Sequence, residues 1–420
     1  MPKLKNGNIV FLFGLALIVI SFVNIYFVIK YQLGKGGARA KGYRECRPVP
    51  KQWPRTLTRN ILNKSLDLGE MFLLNNQKAE GNFNYEYNWI TKELNKDDSQ
   101  VRQAGALWGL ALIYYYRPNQ NLLSGLRKGF EFFKRYSKES NDGRKWITYP
   151  NELSGRTGTV ALVALSIIEL LRSPTSMNAG FRQRLESDLE KYLKFLVSMR
   201  TKKGYFHKSY TVEDGTGFGR SPSPYFDGES LLALIKATKY LGRIELRPMI
   251  IESAYAMYDL HVVKALKTDP DSNKTKGFFQ WGAISYFELA TTGWQGTEKF
   301  AGMVTALADW MIDVHCILER TRNTAYAYEG IIHAYELARQ SGDLNHAQKF
   351  ASVIDIGLRR LTSWQVGGPI QNSYLRVHYT SDRLAVGGVM NHRKRPLLRI
   401  DVTQHQMHAV LLALKYLYKF

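Results

Sequence analysis

Residues 155–200 read GRTGTVALVALSIIELLRSPTSMNAGFRQRLESDLEKYLKFLVSMR. The first part, 155–171, is small or apolar nearly all round, with Arg156 and Glu169 the charged exceptions. A helix of that kind is buried on every side. The second part, 181–200, places Phe181, Leu185, Leu189, Leu193 and Leu196 three and four apart, with Lys, Arg, Glu and Asp on the other face. That is the pattern of a helix with one wet side. The link 172–180 is short enough to make the two antiparallel neighbours. One hairpin therefore contributes an inner and an outer helix.

The same pair recurs along the chain. Inner-type segments are 101–116, 155–171, 227–241, 278–292, 325–338 and 401–417. Outer-type segments are 122–137, 181–200, 246–265, 298–318 and 345–364, with an earlier one near 56–77. The hairpins are spaced too widely for the ~34-residue repeats of open helical solenoids. The expected fold is all-α: an (α/α)6 toroid of six helical hairpins over residues 55–420. An open superhelix is the structural alternative.

The links are unequal. Those from inner to outer helix are short, whereas 138–154, 201–226, 266–277 and 365–400 are long. Four long loops thus precede inner helices on one face, where binding and chemistry gather on a rigid scaffold.

Polar residues stand at the heads of those inner helices. YFDGE (225–229) offers Tyr225, Asp227 and Glu229; AYAYEG (325–330) offers Tyr328 and Glu329; RIDVTQH (399–405) offers Arg399, Asp401 and His405. Asp227 is a candidate N-cap, and a first-turn carboxylate also favours the helix dipole. The functional alternative makes Glu229, Glu329 and Asp401 the acid/base carboxylates of a partly desolvated mouth. Tyr225, Asp227, Tyr328, His405 and Tyr85 then contact substrate, and Arg102 and Arg399 are candidate carboxylate forks. Arg102 is equally placed to pair with Asp97 or Asp98. His405 and His408 are three apart, but no third metal ligand is evident, so neither metal nor cofactor is expected.

Ahead of the toroid, residues 9–29 carry no charge over a length that spans a bilayer core. The expected organisation is a short tail (1–8), a transmembrane helix (9–29), a basic linker (30–54) and the toroid. Charges flanking the span favour a cytoplasmic domain. Single N-terminal anchors on surface-acting enzymes commonly export theirs, and a periplasmic or extracellular toroid is the expectation. The two cysteines, Cys46 and Cys316, give no disulfide framework and leave their pairing open.

The formal net charge is +22, and residues 1–60 contribute 11 Lys and Arg against one acid, Glu45. The excess beside the span suits anionic lipid. The rest suits an acidic partner. No nucleic-acid-binding pattern is present, so an anionic glycan is expected, with envelope or polysaccharide-assembly proteins as possible partners.

The alternation over about 56–420, with FDGE (226–229) heading an inner helix, resembles the six-hairpin glycosidase-like superfamily. In texture it is similar to the C-terminal helical domain of glucuronyl C5-epimerases. The resemblance implies a glycoside hydrolase, polysaccharide lyase or sugar epimerase, with Glu229, Glu329, Asp401, Tyr225 and His405 at the mouth. The non-catalytic alternative is a glycan-binding or scaffolding module.

Overall fold

The computed structural model describes residues 45–50, 54–219 and 221–419. The apolar stretch 9–29 and most of the linker lie outside the described residues. Six inner helices, Gln100–Tyr116, Thr157–Arg172, Pro224–Leu241, Asn273–Ala290, Ala325–Gln340 and Ile400–Tyr416, follow one another round a ring. Each packs on the next, and Ile400–Tyr416 packs back on Gln100–Tyr116, so the ring is closed. An open superhelix is excluded by that last contact.

Composition explains the layering. Every residue from Thr157 to Leu171 is buried. On the outer helix Ala179–Ser198 the buried side chains are one stripe, Phe181, Leu185, Leu189, Tyr192, Leu193, Phe195 and Leu196. Each such side chain contributes about 1.5–3 kcal/mol by leaving water. The other outer helices are Arg59–Asn75, Gln120–Arg135, Arg247–Tyr258, Phe300–Asp313 and Leu344–Thr362. Arg247–Tyr258 runs on through a π-turn, Asp259–Val263. Phe300–Glu319 is long and apolar enough to cross a membrane by length and composition, but half of it is buried in the protein. It belongs to this outer layer.

The long links carry short strands that the helical reading did not anticipate. Glu86–Asn88 pairs with Glu93–Leu94 and with Leu397–Arg399, joining the two ends of the ring on the loop face. Ser154–Arg156 pairs with Ser209–Thr211, which pairs with Gly217–Phe218.

Cys46 and Cys316 form a disulfide across 270 residues. The segment around it is held further. Arg47 N–H donates to Glu319 Oε1 at 2.6 Å, and the Leu57 N–H donates to Asp355 at 3.2 Å. The C-terminal part of the expected linker is thus fastened to the toroid.

Candidate active site

At the loop face the inner-helix heads enclose a cavity of about 480 Å³. Arg102, Tyr225, Glu229, Arg399, Asp401 and His405 line it, as do Lys276, Gln280, Trp281, Asn323 and Tyr326. With Leu162 from Thr157–Arg172, all six inner helices contribute directly.

Glu229 sits one turn inside Pro224–Leu241, whose N-cap is Ser223 with Pro224 at the first helical position. Its side chain is buried, and Oε2 has no hydrogen-bond partner among the described residues. Burial pushes the carboxyl up to about 8, so it is mostly neutral at pH 7. Gly158 on the neighbouring inner helix makes the room: a Cβ there would stand 2.1 Å from Glu229 Oε2.

Glu329 and His405 face each other from adjacent inner helices. His405 Nδ1 lies 2.8 Å from Glu329 Oε1, and the Gln280 amide donates to Glu329 Oε2 at 2.9 Å. With Nδ1 as the donor, the other ring nitrogen keeps its lone pair. His408 Nδ1 approaches Glu329 Oε2 at 3.5 Å, and burial holds this second imidazole below its ordinary range. Burial acts to raise the Glu329 pKa, but His405 and His408 outweigh it and the carboxylate titrates low. Glu329 is a charged group behind a histidine, and it does not itself line the cavity.

Asp401 follows the N-cap, Arg399, and is gripped by it at 3.0 and 2.8 Å. Arg102 Nε adds a contact at 3.2 Å and its guanidinium also meets the Tyr85 hydroxyl. Arg102 therefore pairs with Asp401; Asp98 is instead occupied by Gln103 and Tyr149. The arrangement presents two guanidinium groups to the cavity, oriented by one carboxylate.

Two expected contacts point elsewhere. Asp227 is not the cap: it is fully buried, accepting from the Phe206 N–H at 2.8 Å and pairing with His261 Nε2 at 2.6 Å. It fastens the preceding loop and the π-turn to the helix that carries Glu229. Tyr328 is also fully buried and packs on Gly357 of the outer helix Leu344–Thr362. Tyr326, two positions earlier and so across the helix, forms the cavity wall instead.

Lys276, Gln280, Trp281 and Asn323 were not singled out from sequence; Tyr326 stood beside Tyr328 ahead of Glu329, but Tyr328 was chosen as the contact. Gln280-Trp281 was visible as a polar–aromatic pair near the head of the fourth inner helix. Lys276 is held below the usual lysine range by burial, then by Arg320 and Arg322.

No protein-family model matches this sequence, and no curated protein matches it. Solved structures do. A D-mannose isomerase superposes with TM-score 0.60 at 12% identity, covering 87% of this chain and 100% of its own. A sugar epimerase from a ruminal bacterium gives 0.58 at 11%, covering 84% and 97%. An unsaturated glucuronyl hydrolase specific for heparin gives 0.54 at 12%, covering 85% and 97%. At these identities the likeness shows the fold alone, an (α/α)6 toroid.

Proposed function

We propose that this protein is a carbohydrate-active enzyme that moves protons on an anionic poly- or oligosaccharide at the mouth of the toroid. The observation that carries the reading is the buried, unpartnered, largely neutral Glu229 in the same cavity as a carboxylate-backed His405. A neutral carboxyl and an imidazole lining one cavity are the residue types of a proton donor and a proton acceptor. Glu229 is the donor. His405 is the acceptor, and Glu329 orients it and stabilises the imidazolium. Tyr225, Trp281 and Tyr326 offer aromatic faces to the apolar faces of a sugar ring.

Asp401 is held by two arginines, which makes it a poor nucleophile and a good anchor for them. That arrangement favours epimerisation or elimination at a uronate carbon over hydrolysis by two carboxylates. In it His405 removes the proton next to the carboxylate, the arginines steady the developing charge, and Glu229 protonates the opposite face or the leaving oxygen. Lys276, Arg102 and Arg399 against one ionised carboxylate give the lining an excess of positive charge, which supports an anionic substrate. The ring-fold isomerase, epimerase and glucuronyl hydrolase named above act on sugars, which agrees with this reading.

We place the toroid outside the cytoplasm, anchored through residues 9–29. The Cys46–Cys316 disulfide supports an oxidising compartment, against the flanking charge. The second reading, a glycan-binding module without turnover in an envelope assembly, would need every carboxylate of the mouth to be paired; Asp401 is, but Glu229 is not.

Glu229→Gln keeps the size of the side chain and removes the titrating proton. Turnover of acidic oligosaccharides should fall by roughly 10²–10⁴-fold, with circular dichroism unchanged. Undiminished turnover would remove Glu229 from the chemistry. Binding by the wild type with no turnover of any glycan bound would favour the module.

A further inference from the structure

A second cavity of about 480 Å³ opens beside the first. Asn82–Tyr85, Leu94–Asp98 and Tyr149–Glu152 line it, with Lys78. All three segments belong to the two links that lead into Gln100–Tyr116 and Thr157–Arg172, so it opens on the same loop face. The two cavities share a wall. Tyr85 lines the second, Arg102 lines the first, and the two side chains touch through the Tyr85 hydroxyl. Asp98, in the second, adjoins Ser99, in the first.

The second cavity is built rather than loose. Gln103, fully buried, accepts from the Phe83 N–H at 2.7 Å and donates to the Phe83 carbonyl at 2.8 Å. It also donates to Asp98 at 2.7 Å, and Asp98 accepts from the Tyr149 hydroxyl at 2.6 Å. The backbone on both sides is thereby fixed in advance, which reduces the ordering cost of binding. The lining is polar and rich in amides: Asn82, Asn84, Asn95 and Asn151. An amide offers a donor and an acceptor side by side, which matches neighbouring sugar hydroxyls. Among the described residues, the Asn84 and Asn151 side chains make no hydrogen bond within the protein. Lys78 and Lys96 stand among Asp97, Asp98 and Glu152, so recognition here rests on the amides and on single lysine contacts rather than on net charge. Each cavity has the volume of a small-ligand site.

Resting on the glycan reading above, we infer that the second cavity is a distal subsite. It takes further sugar units of a chain whose reacting unit lies against Glu229 and His405, and the chain crosses the Tyr85–Arg102 wall. The substrate is then an oligomer or polymer recognised over several units, and short fragments bind weakly.

The test uses the full chain in detergent and size-graded glucuronate and galacturonate oligosaccharides of one to six units, with affinities from calorimetry. Affinity should rise at least 10-fold between disaccharide and tetrasaccharide. The double variant Asn84→Ala/Lys96→Ala should abolish that rise, and Asn84→Trp, which fills the cavity, should do the same. Circular dichroism checks that the variants fold. Flat affinity with length, or variants that retain the full rise, would overturn the subsite while leaving the glycan reading intact. If no member of the series binds the wild type, the acidic-glycan reading fails and the subsite falls with it.

Discussion

Glu229 draws its chemistry from what surrounds it rather than from its own side chain. Sequence placed a carboxylate at a helix head, where an exposed group would strengthen the helix dipole by about 0.3–1 kcal/mol. Packing against Gly158 and Phe226 removes it from water instead, and burial raises its pKa to about 8. Linkage gives a sign. The native carboxyl holds its proton between its ordinary value of 4.5 and about 8, where the unfolded chain has lost it. Native stability should therefore fall as pH rises through that window. Glu229→Gln removes the dependence. Urea midpoints of variant and wild type should diverge from pH 5 to pH 8 in favour of the variant; parallel profiles would mean that Glu229 is ionised throughout. Tyr328 shows where residue-scale reading failed. Both Tyr326 and Tyr328 were visible, but choosing between them needs the helix phase, and one hundred degrees per residue sends them to different faces.

Helices were legible because two kinds of burial leave two kinds of sequence. The short strands were not, since three-residue pairings such as Glu86–Asn88 with Leu397–Arg399 depend on segments far apart in the chain. Nor was the role of Asp227, which sequence offers as a cap and the structure uses as a fastener to Phe206 and His261. Close approach of inner helices is what sets the cavity wall. Gly158→Ala would put a methyl group against Glu229 Oε2 and the Phe226 ring. The expected cost is about 1–3 kcal/mol of stability from overpacking. Turnover should drop with it, because the carboxyl must move. A fully active Gly158→Ala enzyme of unchanged stability would show that the wall yields without displacing the acid.

For the molecule as a whole, the unequal links predicted which face would collect the polar residues, and the cavity lies on that face. The disulfide was beyond reach of sequence, because 270 residues separate its halves and only the closed ring brings them together. Thiol titration of the protein unfolded without reductant should find no free cysteine, and reductant should cost stability by about 2–5 kcal/mol. Two free thiols in protein from its native compartment would argue for a reducing environment and against export. The central claim is that the mouth of the ring is where an acidic glycan meets its proton donor and acceptor. Its most direct test is a crystal structure of the protein soaked with an acidic tetrasaccharide. The account predicts one sugar ring among Tyr225, Trp281 and Tyr326, its carboxylate on Arg102, Arg399 or Lys276, with Glu229 and His405 Nε2 within hydrogen-bond reach of the same ring. A glycan bound elsewhere on the protein while this cavity stays filled with solvent would contradict it.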